Sequence, residues 1–463
     1  MVNRLRFASL IVAVTVVSGT VAWSQAPRSA PQSPYLAAPD NLVAVRAGRM
    51  FDAKAGAMLN NQVILIKGDR IVDVGPSLQV PADARVIDLS GATVLPGMID
   101  AHVHNAGRGD SVEMKTIVMV QSAVRDLEAG FTTTVDMDSR GGFGTVELRD
   151  AINEGLIKGP RMQVSGQSLN QRASAPYPNP GPGFYSGFTE GKNINGPWLA
   201  RAAVREAKLH GVDWVKIYTT QDFVGGHELN EFRPDGSLVA SPSLTFEEVQ
   251  AIVDEAHRMG LKVACHTYGG DGMRSSINAG VDLSMHVTEL YKDDALVNTV
   301  VQKKLPIMIT IDDLVGLNNG DKRLLANLGI TGDKAVTRLG MAELTFKKLL
   351  KAGVPLVFGS GAVAGDGTFP HGKQADQFAW MVRWGMTSTQ ALQTTFIGAA
   401  NVLNYNWTNR VGTLEKGKFA DVIAVAGNPL TDVTELERVK FVMKGGVVVK
   451  NEIALRSPST AAQ

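Results

Sequence analysis

Short apolar runs closed by polar or turn residues recur along the chain. Between most of them the apolar positions change from alternation to the i, i+3, i+4 spacing of a helix. Strands are predicted over 93–100, 132–137, 161–166, 212–218, 262–266, 281–286, 306–309 and 354–359, with amphipathic helices over 112–128, 198–210, 246–259, 291–303 and 335–351. Eight strand units with helices between them predict an α/β fold, a closed parallel (β/α)8 TIM-type barrel over 96–403. Both flanks read differently. Val63-Ile64-Leu65-Ile66, Lys67-Gly68-Asp69-Arg70 and Ile71-Val72-Asp73-Val74 form a hairpin pattern, and it returns in 421–425, 439–443 and 447–449 across Lys444-Gly445-Gly446. These flanks, 42–95 and 404–453, predict a small β-sandwich domain assembled from both chain ends, followed by a tail, 454–463. The Gly/Pro-rich stretch 171–197 is too long for an ordinary connector and reads as an active-site loop or lid.

Composition adds the compartment and removes some functions. Arg4 and Arg6 precede the apolar run from Phe7 to Val17, and small residues lead to Ser24-Gln25-Ala26. This order predicts a signal peptide over 1–26, a Pro/Ala/Ser-rich disordered linker over 27–41, and a periplasmic or secreted protein with no membrane attachment after cleavage. The 46 basic and 45 acidic residues of the 463-residue chain leave a net charge of +1, which favours neither nucleic acid nor an anionic membrane. Cys265 is the only cysteine, so no intramolecular disulfide can form.

Candidate chemistry lies at the ends of the predicted strands, where barrel enzymes carry their catalytic groups. In Pro96-Gly97-Met98-Ile99-Asp100-Ala101-His102-Val103-His104 the two histidines are spaced by two, which turns both imidazoles to one side of a strand. Eight histidines in a chain this long give His-x-His by chance in about one chain in seven, so the spacing alone is weak. Its position, and the matching positions of His266 and His286 at the ends of two later strands, make a metal site. Lys216 lies inside the strand Val212-Asp213-Trp214-Val215-Lys216-Ile217-Tyr218. An amine buried beside cations loses its proton and can add carbon dioxide, giving a carbamate long enough to bridge two ions. Cys265 adjoins His266 on one strand, so the two side chains face opposite ways and cannot form a nucleophile–base pair.

The Gly-Met-Ile-Asp-Ala-His-Val-His string, Val-Lys-Ile-Tyr, His266, His286, Pro370-His371-Gly372 and the stretch Gly412-Thr413-Leu414-Glu415-Lys416-Gly417 resemble the amidohydrolase superfamily. Within it they resemble the binuclear branch of Xaa-Pro dipeptidases, metallo-carboxypeptidases and ochratoxin-degrading amidases. The resemblance implies His102 and His104 on a more buried divalent ion, zinc being the expected metal, His266 and His286 on a second, and carboxylated Lys216 bridging both. It implies hydrolysis of an amide or peptide bond in a small molecule (a dipeptide, a C-terminal residue, an N-acyl amino acid or an ochratoxin-like amide) by a hydroxide between the ions. Tyr218 is placed to hydrogen-bond the oxyanion and His371 near substrate, and a homo-oligomer is expected.

One departure matters. The superfamily expects an aspartate at the end of the eighth strand, as metal ligand and proton carrier, where this chain reads Phe358-Gly359-Ser360-Gly361-Ala362. Gly361 supplies neither function, and Asp366 could replace the carboxylate only if its loop folded back. Two rival readings follow: a mononuclear cyclic amidohydrolase or deaminase of the imidazolonepropionase kind, which the bridging Lys216 opposes, and a catalytically dead binding protein, which Gly361 favours.

Overall fold

The computed structural model describes residues 33–107, 111–140, 142–170, 191–220, 223–224, 227–228, 232–240, 242–364 and 370–453. The predicted signal peptide, the first part of the predicted linker, Asp366, the predicted C-terminal tail and most of the predicted lid lie outside these residues.

Every predicted barrel strand is present, and all of them pair in parallel. One sheet runs Leu356–Val357, Ile307–Met308, Leu283–His286, Lys262–Thr267, Trp214–Tyr218, Ser168–Asn170, Gly191–Asn193; a second runs Ala362–Val363, Met98–His104, Phe131–Asp136, Arg161–Val164. The strand predicted over 93–100 is two strands. Arg85–Pro96 belongs to the terminal sheet, and Met98–His104 starts the parallel set. Gly97 sits between them with a side chain's space already filled: an added Cβ would lie 1.9 Å from the Thr132 hydroxyl.

Predicted helices recur as Val112–Glu128, Pro197–Leu209, Phe246–Arg258, Asp294–Lys303 and Arg338–Lys351. Phe246–Arg258 opens with a capping box in which Thr245 and Glu248 satisfy each other's backbone N–H groups. Its apolar face, with Val249, Ile252 and Ala256, packs with Val215, Ile217, Val263 and Cys265 from the outward side of the strands. The helices Gly144–Asn153, Gly270–Ala279 and Ile311–Asn327 escaped the pattern. The second is rich in Gly and Ser, with Met273 and Ile277 its only large apolar side chains, and the third is interrupted by Asn-Asn-Gly.

The two chain ends meet in a single seven-stranded mixed sheet, ordered Val447–Asn451, Phe441–Lys444, Val422–Val425, Arg85–Pro96, Leu42–Asp52, Ala57–Lys67, Arg70–Gly75. The sheet draws its described strands from both flanks of the chain. Val43, Val45, Ile64, Val94, Val422 and Phe441 fill its own core. Residues 33–41 differ from the disordered linker expected there: Ser33 Oγ donates to the Gly155 carbonyl at 2.6 Å, and Asn41 N donates to Ala38 O. Among the described residues no helix is long and apolar enough to cross a membrane.

Candidate metal centre

All five predicted metal ligands lie in parallel strands, His104 and His286 as their last residues, and all five are buried: His102 1 %, His104 5 %, Lys216 0 %, His266 5 %, His286 2 % exposed. They converge. His102 and His104 bring their Nε2 atoms to 3.2 Å, and Lys216 Nζ stands 3.5 Å from His102 Nε2. The His266 and His286 rings lie 4.1 Å apart, and His286 is 5.6 Å from His102.

His286 reaches the group by an unusual route. Leu283 and Met285 pack with Trp214, Ala264 and Met308 on the Lys216 side of the strands, and Met285 Sδ lies 3.8 Å from Lys216 Nζ, so simple alternation would turn His286 to the other side. The backbone takes φ +69° at His286 and +39° at Val287, a left-handed conformation that non-glycine residues seldom hold. That turn brings the ring over to His266. Strain of this kind is characteristic of functional sites.

The remaining hydrogen bonds aim the rings. Thr310 Oγ1 shares a 2.6 Å hydrogen bond with His286 Nδ1, and the buried Nε2 has no hydrogen-bond partner among the described residues. His104 Nδ1 donates to the Asp138 carbonyl at 3.4 Å, which leaves its Nε2 facing His102. Burial holds the pKa of both His102 and His286 well below the ordinary imidazole value, with Lys216 and the neighbouring histidines adding to the effect. Neutral imidazoles with lone pairs turned to one space are metal ligands. Two nitrogens held tetrahedrally at zinc–nitrogen distances lie about 3.3 Å apart, close to the observed His102–His104 separation. The residues present therefore fit divalent ions. Among the described residues no three His, Cys, Asp or Glu side chains form a metal shell unaided. The histidine ring lacks an anionic member, and Lys216 is the side chain set to become one.

Three residues hold the frame, and of these only Asp100 fell within a motif. Asp100, fully buried, accepts from the Ser360 hydroxyl at 2.6 Å and from the His102 and Ser360 N–H groups; burial pushes its pKa up to about 7, against the lowering effect of Ser360. It shares the His102 and His104 spacing of two, so its inward position could have been read. Thr310 follows a strand end, a weaker signal. Asp138 is held at φ +134° and accepts the Tyr218 hydroxyl at 3.2 Å.

Tyr218 stacks at 4.5 Å on His266, at the edge of the group. His371 is engaged elsewhere: Nε2 donates to the His104 carbonyl at 3.1 Å and Nδ1 pairs with Asp126 at 2.7 Å. Burial opposes charging this ring, but Asp126 outweighs it and raises the pKa. His371 is thus a brace behind His104. Gly361 donates its N–H to the His102 carbonyl at 2.8 Å, and the open side of its α-carbon faces Thr310. Cys265 lies on the outer face of its strand, 3.3 Å from the Thr219 hydroxyl, away from the imidazoles.

Residues 93–449 match the model of the amidohydrolase family. The chain belongs to the amidohydrolase family. Ochratoxinase of Aspergillus niger is 27% identical to this amidohydrolase over 433 residues, spanning 85% of this chain and 84% of that one. A solved Xaa-Pro dipeptidase with methionine bound in its active site is 30% identical, with a TM-score of 0.73 over 89% of this chain and 100% of the other. A putative prolidase from Bifidobacterium longum is 26% identical at a TM-score of 0.71, covering 91% and 97%. This amidohydrolase is accordingly a hydrolytic enzyme on a mixed α/β fold.

Proposed function

We propose that this amidohydrolase hydrolyses an amide or peptide bond in a small substrate, a dipeptide or an N-acyl amino acid, with two divalent cations held by His102, His104, Lys216, His266 and His286. The convergence of four buried imidazoles on one buried lysine carries the reading. Likeness to an ochratoxinase and to Xaa-Pro dipeptidases supports an amide-type bond. Bound there, divalent ions, with zinc the expected metal, supply Lewis acidity and lower the pKa of water.

The chain's own groups do the rest. Lys216 has His102, Met285 and the Tyr218 ring around its amine, and beside bound divalent ions that amine would take up carbon dioxide as a carbamate. The Asp138 carbonyl fixes the tautomer of His104, and Thr310 orients the His286 ring. Asp100 and His371 lock the backbone that carries His102 and His104. Tyr218 can exchange its bond to Asp138 for one to a carbonyl oxygen gaining charge. The two parallel sheets are read as arcs of one closed (β/α)8 barrel and the terminal sheet as folding over into a β-sandwich, with 42–95, 96–403 and 404–453 as the domain divisions. Arg4, Arg6 and the apolar run after them support export to the periplasm or beyond.

Gly361 favours one other reading, a substrate-binding protein without turnover. Chelated and metal-reconstituted protein should be assayed against Xaa-Pro dipeptides and N-acyl-phenylalanines. Hydrolysis that disappears with chelation and returns with zinc supports the enzyme; metal-dependent binding without product over long incubation supports the alternative; activity indifferent to chelation contradicts both.

A further inference from the structure

A second site lies away from the metal centre, where the last hairpin of the terminal sheet meets the barrel. A cavity of about 140 Å³ opens there, walled by Val447 and Val449 from the hairpin, Leu127 and Lys158 from the barrel side, and Tyr35 from the N-terminal segment, with Lys444 on its lining. The Tyr35 wall is anchored, because Ser33 is hydrogen-bonded to Gly155 and leaves no room for a side chain there.

Lys444 is the unusual member. It is 9 % exposed, and its ammonium makes no hydrogen bond or ion pair among the described residues. A buried cation without a partner is costly, and natural proteins seldom keep one without a use. The other charges nearby are largely committed. Arg161 forms a two-pronged pair with Asp421, whose Oδ1 also accepts from Gly445 N, and Lys158 is bound to Glu128 at 2.6 Å. Burial first, then Arg161, lowers the Lys444 pKa to about 7 against the pull of Asp421, so a bound anion would be repaid by restoring full charge.

We propose that this cavity is a binding site for a small monocarboxylate with an apolar body, the carboxylate on Lys444 and the body against Leu127, Val447, Val449 and Tyr35. The volume suits a benzene-sized group, since a cavity of about 150 Å³ can admit benzene. One cation beside apolar walls selects one negative charge carried on a hydrocarbon, and disfavours polyanions, which would leave charge unpaired.

Calorimetric titration of the intact, metal-loaded protein with benzoate tests this, with benzyl alcohol and inorganic phosphate as the comparison probes. Benzoate should bind at one site per chain outside the metal centre, at least about tenfold more tightly than either comparison, because a charge-assisted hydrogen bond contributes about 1.5–3 kcal/mol. Lys444→Met, which keeps length and loses charge, should weaken that binding by about tenfold or more, and Val449→Phe, which fills the cavity and keeps the amine, should do the same. Circular dichroism and melting of each variant check that it folds. Benzoate binding unchanged in both folded variants, benzyl alcohol or phosphate binding equally well, or no benzoate binding beyond the metal centre would overturn the proposal.

Discussion

Replacing Gly361 with aspartate restores the group that the resemblance expects, and the structure gives both its cost and its return. Gly361 sits at φ +75°, where an L-residue pays about 1–2 kcal/mol, with aspartate among the better tolerated. An added Cβ would meet Thr310 Cγ2 at 3.2 Å and Thr310 Cβ at 3.4 Å, so the threonine must yield by a few tenths of an ångström. That threonine orients His286, so the new carboxylate would stand beside the proposed metal ligands. A positioned proton carrier contributes about 10²–10⁴-fold to rate. Gly361→Asp should therefore lower the denaturant midpoint and raise amide hydrolysis by at least about a hundredfold. The gain should fall mainly in kcat, because the proton moves in the transition state. Gly361→Asn shares the strain and volume but cannot carry the proton. The assay is kcat and KM for the three proteins on one dipeptide at matched metal content. An aspartate variant no faster than the asparagine variant refutes the reasoning. Loss of activity in Asp366→Asn alone would assign the role to the loop carboxylate.

Lys216→Ala should lose metal and activity together, with partial rescue of both by a short-chain carboxylic acid; a high-resolution map of the metal-loaded protein showing a bare amine at Lys216 would dismiss the carbamate. Thr310→Val removes the bond to His286 Nδ1 and should weaken metal binding by about 10–100-fold with little loss of fold, measured by competition with a chelator; unchanged affinity would make Thr310 a packing residue only. Glu255 bonds Arg258 and Arg205, which hold its carboxyl at about 2, below the ordinary 4.5. Its stabilisation is therefore present above about pH 4.5 and is lost as pH falls toward 2. The difference in denaturant midpoint between wild type and Glu255→Gln should shrink on acidification through that window, and a pH-independent difference contradicts the pairing.

Period-two patterning made His102 and His104 legible as a same-side pair, and short apolar runs marked eight of the described parallel strands but not the two- and three-residue strands Ser168–Asn170, Gly191–Asn193 and Ala362–Val363. The sequence was less informative wherever backbone geometry broke the period. His286 faces the centre because of a left-handed turn that no spacing rule anticipates, and the strand expected over 93–100 ran across the break between Pro96 and Met98. His371 was read as a substrate neighbour because it stands in a motif. Only the fold shows both its nitrogens committed to Asp126 and the His104 carbonyl. Thr310, Asp138 and Asp126 were missed because a residue that orients a ligand carries no spacing signature of its own. The role of Gly361 was visible as an absence, and its left-handed backbone adds why glycine is comfortable there.

Metal stoichiometry tests the central claim most directly. Untagged protein, saturated with zinc and freed of loose ions, should be analysed by plasma mass spectrometry, alone and as Gly361→Asp. The binuclear reading predicts more than one and up to two tightly held ions per chain, incomplete at the His102–His104 position because Gly361 supplies no ligand there, and close to two when aspartate is restored. Fewer than one ion per chain in both proteins would contradict it.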